Sequence, residues 1–135
     1  MHLSEPKQRQ TPRGRFAWRE GGAPGGKALV MIHGWPESSY CWEHVAAYLK
    51  AGFRIIAPDL RGLGDSERSP DIEHYRKQEM AQDVISLLDQ LGIDEFQLVG
   101  HDWGGIVAQE VALAIPDRVQ RLVIMNIAII NNLKG

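Results

Sequence analysis

The sequence predicts a doubly wound α/β domain, with a mostly parallel sheet and helices on both faces. Three observations carry the prediction. Short continuous apolar runs recur at 28–32 (ALVMI), 53–57 (FRIIA), 96–99 (FQLV) and 122–125 (LVIM), as suits strands buried on both faces. Helical patterns separate them, and that alternation favours parallel strands joined by right-handed crossovers. Hydrophobic residues make up 44% and charged residues 24% of the 135 residues, a balance that folds as one globular domain rather than staying disordered.

Taken in order, residues 1–12 are polar and carry Pro6 and Pro12, which reads as a loose lead-in, leaving 13–135 as the folded part. Residues 15–19 (RFAWR) alternate as a short strand, and the Gly/Pro cluster at 21–26 is a turn. The run at 28–32 stops at His33-Gly34. Ser38 and Ser39 are N-cap candidates for a helix carrying Trp42, Val45, Ala46 and Leu49, and Gly52 ends it. After the strand at 53–57, residues 59–70 form a long loop. A helix then covers 75–91, because Met80, Val84, Leu87, Leu88 and Leu91 share one face, and Gly92 stops it. The strand at 96–99 runs into a sharp turn at Gly100-His101-Asp102-Trp103-Gly104-Gly105. An apolar helix follows at 106–115, ended by Pro116, and then the strand at 122–125.

Composition narrows the function. Fifteen Lys and Arg against 17 Asp and Glu give a formal charge of −2, without the basic excess of a nucleic-acid binder. No apolar run approaches the ~18 residues of a membrane span, and the first residues lack the apolar stretch of a secretory signal. A single cysteine, Cys41, leaves no intrachain disulfide and favours a reducing, cytoplasmic setting. His2, His33, His44, His74 and His101 show no metal-ligand spacing, so no metal or other cofactor is expected. A nucleotide-binding reading of Gly62-Leu63-Gly64 fails because no helix with a third glycine follows.

The chemistry concentrates in two turns. Asp102 sits between strand and helix, with Gly100 two residues before it and Gly104 two after. Such small neighbours let a turn pack tightly and hold its central residue in strain. Unpaired N–H groups at the helix start favour an ionised carboxylate there, as a carboxylate nucleophile requires. A helix cap is the alternative reading of Asp102. His33-Gly34-Trp35-Pro36 follows the first buried strand, where the N–H groups of Trp35 and Trp103 are placed to converge on one oxygen. An ordinary strand-to-helix turn is the alternative there, and both isomers of the Trp35–Pro36 bond stay open.

Together HGWPESSYCW, DLRGLGDS and VGHDWGG, in that order, resemble the α/β-hydrolase superfamily, and the resemblance runs from about residue 15 to 126. Aspartate rather than serine at 102 resembles its epoxide hydrolase and haloalkane dehalogenase branch. Trp103 and the Ile106-Val107 pair stand where fluoroacetate dehalogenases carry arginines. Trp35 stands where many haloalkane dehalogenases carry a halide-binding Asn. The combination looks most like soluble epoxide hydrolases. The resemblance implies that Asp102 attacks an epoxide carbon to form an alkyl-enzyme ester, which water then hydrolyses. It implies oxyanion-hole amides from Trp35 and Trp103, with Trp35, Pro36 and Trp103 against a small-molecule substrate (an epoxide, alternatively a haloalkane). It also implies structural roles for His33, Gly34, His101, Gly100 and Gly104.

The resemblance also implies parts that this chain lacks: the cap domain, its epoxide-polarising tyrosines, the later strands, the catalytic histidine and its acidic partner. Beyond Arg118 there is no Asp, Glu or His, and Asn126 stands where some relatives carry an acid. A truncated core leaves 121–130 as an exposed apolar edge, so a homo-oligomer or a second chain covering that edge is expected. A non-catalytic binding or signalling half-domain is the competing class.

Overall fold

The computed structural model describes residues 2–49 and 51–130, so the last five residues of the predicted folded part lie outside the described residues. Six strands form one sheet: β1 (Lys7–Thr11), β2 (Gly14–Gly22), β3 (Lys27–Ile32), β4 (Phe53–Pro58), β5 (Phe96–His101) and β6 (Val119–Met125). Their order across the sheet is β1-β2-β4-β3-β5-β6. β3 pairs parallel with β4 and β5, and β5 parallel with β6, while β1–β2 and β2–β4 are antiparallel.

The predicted lead-in is therefore corrected. Residues 7–11 (KQRQT) form an edge strand, in register from Lys7 opposite Trp18 to Thr11 opposite Gly14. Only Thr11 of that strand is buried, so it shows no apolar alternation. Main-chain pairing with β2 is what makes it a strand. β2 is also longer than the predicted 15–19.

α2 (Lys77–Gln90) and α3 (Trp103–Ala114) cover one face of the sheet. Met80, Val84, Leu87 and Leu88 of α2 and Val107, Ala108 and Val111 of α3 pack on Val30, Ile32, Ile56, Phe96 and Leu98. A 3-10 turn at Ser39–Trp42 and the one-turn helix α1 (Glu43–Ala46) cover the other face. There Trp42 and Ala46 meet Leu29, Met31, Ile55 and Ala57. Residues 29 to 32 thus feed two cores in alternation, which the two-residue period of a strand requires and which explains their unbroken apolar run. The helix predicted through Leu49 is shorter than expected. Ser38 caps the preceding 3-10 turn by accepting from the Tyr40 N–H at 3.3 Å, while α1 itself has no side-chain cap, and Tyr40, Trp42, Val45 and Tyr48 are poor helix formers.

A buried ionic cluster ties the loop after β4 to α2. Arg61 donates two hydrogen bonds to Asp83, both 2.8 Å, and Arg13 adds a third at 2.8 Å. Asp83 is 2% and Arg61 6% exposed, a burial tolerated because each charge is paired. At the far side of the sheet, Leu122, Val123 and Met125 of β6 are exposed. Among the described residues no strand pairs with the outer edge of β6.

Candidate active site

The site lies at the carboxyl ends of β3 and β5, the end at which open parallel sheets present their loops to ligands. β5 delivers the chain into Asp102, which has φ 56° and ψ −126° and leads directly into α3. A positive φ is uncommon outside glycine and costs of order 1–3 kcal/mol. Packing over-determines it. The Asp102 N–H donates to the Met125 carbonyl at 3.0 Å, and the Asp102 carbonyl accepts from the Gly105 N–H at 2.8 Å. The flanking glycines are required by contact: a Cβ on Gly100 would strike the Gly104 carbonyl, and one on Gly104 would strike the carbonyls of Ile32 and His33.

The carboxylate makes no N-cap hydrogen bond of ordinary geometry, although the amide of Trp103, the first residue of α3, acts on it. It faces the loop after β3, where the Trp35 N–H donates to Asp102 Oδ2 at 3.1 Å. The Trp103 amide and then the Trp35 amide hold the carboxyl below the ordinary aspartate range, against a smaller opposing effect of burial. Gly34 makes the approach of the two loops sterically possible, since a Cβ there would lie 2.5 Å from Asp102 Cβ. The Trp35–Pro36 peptide is cis.

His33 and His101 frame these loops. His33 is fully buried. Its Nδ1 lies 2.7 Å from the Gly34 carbonyl, and its Nε2 accepts from the Leu60 N–H at 3.0 Å. That pattern fixes a neutral ring with the proton on Nδ1, and burial pushes its pKa down. His101 Nδ1 lies 3.3 Å from Glu37 Oε1, and its Nε2 lies 3.2 Å from Asn126 Nδ2. Glu37 Oε1 also accepts from the Gly34 N–H at 3.2 Å. Glu37 was visible in the sequence only as part of a motif. Its position three residues after Gly34, inside a tight turn, is the signal for a side chain that returns to the backbone. Asp59 braces the same region, accepting from the N–H groups of Ser39 (2.8 Å) and Asp65 (3.0 Å).

The Trp35 and Trp103 rings lie 5.8 Å apart at 31°. They form one wall of a cavity of about 460 Å³, completed by the loop after β4 and the start of α2. Pro36 lines a neighbouring depression with Glu37 and Cys41. Lys77, which sequence reasoning missed, places its Nζ 4.0 Å above the Trp103 ring centroid. Among the described residues no group of three or more His, Cys, Asp or Glu could hold a metal ion. No described helix is long and apolar enough to cross a membrane.

Comparisons with known proteins bear on the fold and the family. The family model described as alpha/beta hydrolase fold matches residues 27–134. Epoxide hydrolase 2 of Siraitia grosvenorii is 46% identical over 103 residues, covering 76% of this chain and 33% of that protein. The structure of the epoxide hydrolase CorEH without ligand superposes with a TM-score of 0.84 at 40% identity, over 97% of this chain and 46% of that one. A haloalkane dehalogenase from Bradyrhizobium elkanii, a loop variant of DbeA, superposes with a TM-score of 0.84 at 34% identity, over 94% of this chain and 41% of that one. The chain thus spans a third to under half the length of these proteins. Motif order, sheet topology and these matches converge: the chain belongs to the α/β-hydrolase fold family.

Proposed function

We propose that this chain carries the nucleophile half of an epoxide hydrolase. The observation that supports it most is Asp102 itself, held at positive φ with one carboxylate oxygen on the Trp35 amide. In this reading Oδ1 attacks an epoxide carbon, the ring C–O bond breaks, and the ring oxygen takes a proton from an acid supplied elsewhere in the enzyme. The product is an alkyl ester of Asp102. Oδ2 becomes the ester carbonyl oxygen, keeps the Trp35 N–H as a donor and takes up that of Trp103 as the second. Water then adds to Asp102 Cγ, the amides stabilise the oxyanion, and collapse releases the diol and restores the carboxylate. Trp35 and Trp103 contact the substrate and Pro36 borders the depression beside it, while His33, Gly34, Gly100, His101 and Gly104 hold the loops.

Deacylation needs a general base. Beyond Arg118 the chain has neither a histidine nor an acid, so we expect one alkylation per chain and no multiple turnover by these 135 residues alone. The exposed apolar edge at 121–130 favours a second copy or a second polypeptide against β6. The single cysteine favours a cytoplasmic setting.

The likeness to a haloalkane dehalogenase favours one further reading, in which the same carboxylate displaces a halide. Intact-mass spectrometry separates the two. Attack on styrene oxide adds the whole molecule to the chain, whereas attack on 1-bromobutane adds only the butyl group and frees bromide. The epoxide reading predicts the first product in large excess; labelling by the haloalkane alone would replace it with the dehalogenase reading.

A further inference from the structure

The cavity beside Asp102 has a charge pattern that the hydrolase reading leaves unexplained. Its lining includes Trp35, Leu63, Arg68, Tyr75, Lys77 and Trp103, with the buried Arg61 at its base and no carboxylate. Arg61 is consumed by Asp83. Arg68 donates to the carbonyls of Ser66 (3.2 Å) and Gly64 (3.1 Å), which orients its guanidinium without neutralising it. Lys77 Nζ lies 3.4 Å from the Tyr75 carbonyl. Among the described residues neither Arg68 nor Lys77 is paired with an acid. Tyr75 spends its hydroxyl on Ser69, donating to the carbonyl at 2.8 Å and accepting from the N–H at 2.9 Å, so it does not counter the charge.

Lys77 therefore stands on the face of the tryptophan whose amide adjoins Asp102, partly withdrawn from water and without a counter-ion. That withdrawal pulls its pKa down, a cost an incoming anion would remove. We propose that this cavity binds the anionic end of the substrate, making the preferred substrate a small epoxide that carries a carboxylate about one indole width from the ring carbon. The carboxylate pairs with Lys77, with Arg68 as the second cation, while the aryl or alkyl link lies along Trp35 and Trp103. The assignment rests on the epoxide reading for the reacting end and on the unpaired cations for the other.

Two measurements test it, one of which does not depend on the chemistry. The first is binding of 3-phenylpropanoate against 3-phenylpropanamide, followed by tryptophan fluorescence in the wild type, Lys77→Met and Lys77→Arg. A charge-assisted contact predicts about tenfold tighter binding of the acid. That preference should collapse in Lys77→Met and survive in Lys77→Arg. The second is the rate of adduct formation by 4-(oxiran-2-yl)benzoate, whose ring links carboxylate and epoxide, against its methyl ester; that ratio should fall in the same way in Lys77→Met. Equal binding of acid and amide, no binding of either, or a preference that persists in Lys77→Met overturns the anion site. An anion preference in binding, with neither epoxide forming an adduct, overturns the nucleophile reading and leaves the anion site standing.

Discussion

At the scale of single residues, each requirement at Asp102 traces to a neighbour. The lowered pKa keeps the carboxylate ionised well below neutrality, so the rate of epoxide adduct formation should stay flat from about pH 7 to about pH 5. The sign follows from the shift: a depressed carboxyl pKa preserves the charged form until the pH falls through that lower value. A decline beginning near neutrality would assign the limiting group elsewhere. Gly34→Ala should slow the adduct by roughly 10²-fold with the circular dichroism spectrum retained, because its Cβ would push the Asp102 side chain out of its attacking position. Cys41 offers no competing nucleophile. Burial pushes its thiol up to about 12, leaving little thiolate to react, so iodoacetamide at about pH 8 should label it far more slowly than an ordinary thiol of pKa ≈ 8.5. The Asp102 turn was legible in the sequence because its glycine spacing is a steric necessity. Lys77 and Glu37 were not, since their partners lie 26 and 64 residues away and no local pattern encodes such a pairing.

At the scale of elements, the apolar runs disclosed β3, β4 and β5 because those strands are buried on both faces. β1 stayed hidden because its side chains face solvent and its main chain does the pairing. The short α1 was overestimated because an apolar face at helical spacing is also compatible with a 3-10 turn followed by a single helical turn. The Arg61–Asp83–Arg13 cluster is the strongest tie between the loop after β4 and α2. Removing Asp83 strands the buried Arg61, while Arg13 keeps its pair with Glu79. Asp83→Ala should therefore cost about 3–5 kcal/mol, read as a lower urea midpoint with little change in slope. A loss below about 1 kcal/mol, the size of a surface pair, would show that water satisfies the guanidinium groups instead.

At the scale of the whole molecule, the sheet carries its site at one end, and among the described residues nothing pairs with the outer edge of β6. Val123 is 52% exposed, and Leu122 and Met125 beside it are also open. Exposed apolar edge strands are templates for pairing. Light scattering after size exclusion should therefore give a mass above the 15.1 kDa of one chain, rising with concentration, and Val123→Lys should shift it toward the monomer. A concentration-independent monomer would contradict the edge's role in association. The central claim is that this chain's own residues preassemble a carboxylate nucleophile. Its most direct test is peptide mapping of the purified chain after incubation with styrene oxide, with Asp102→Asn alongside. The account predicts one adduct per chain, on Asp102, and none in Asp102→Asn. No adduct on the folded wild type, or equal labelling of Asp102→Asn, would contradict it.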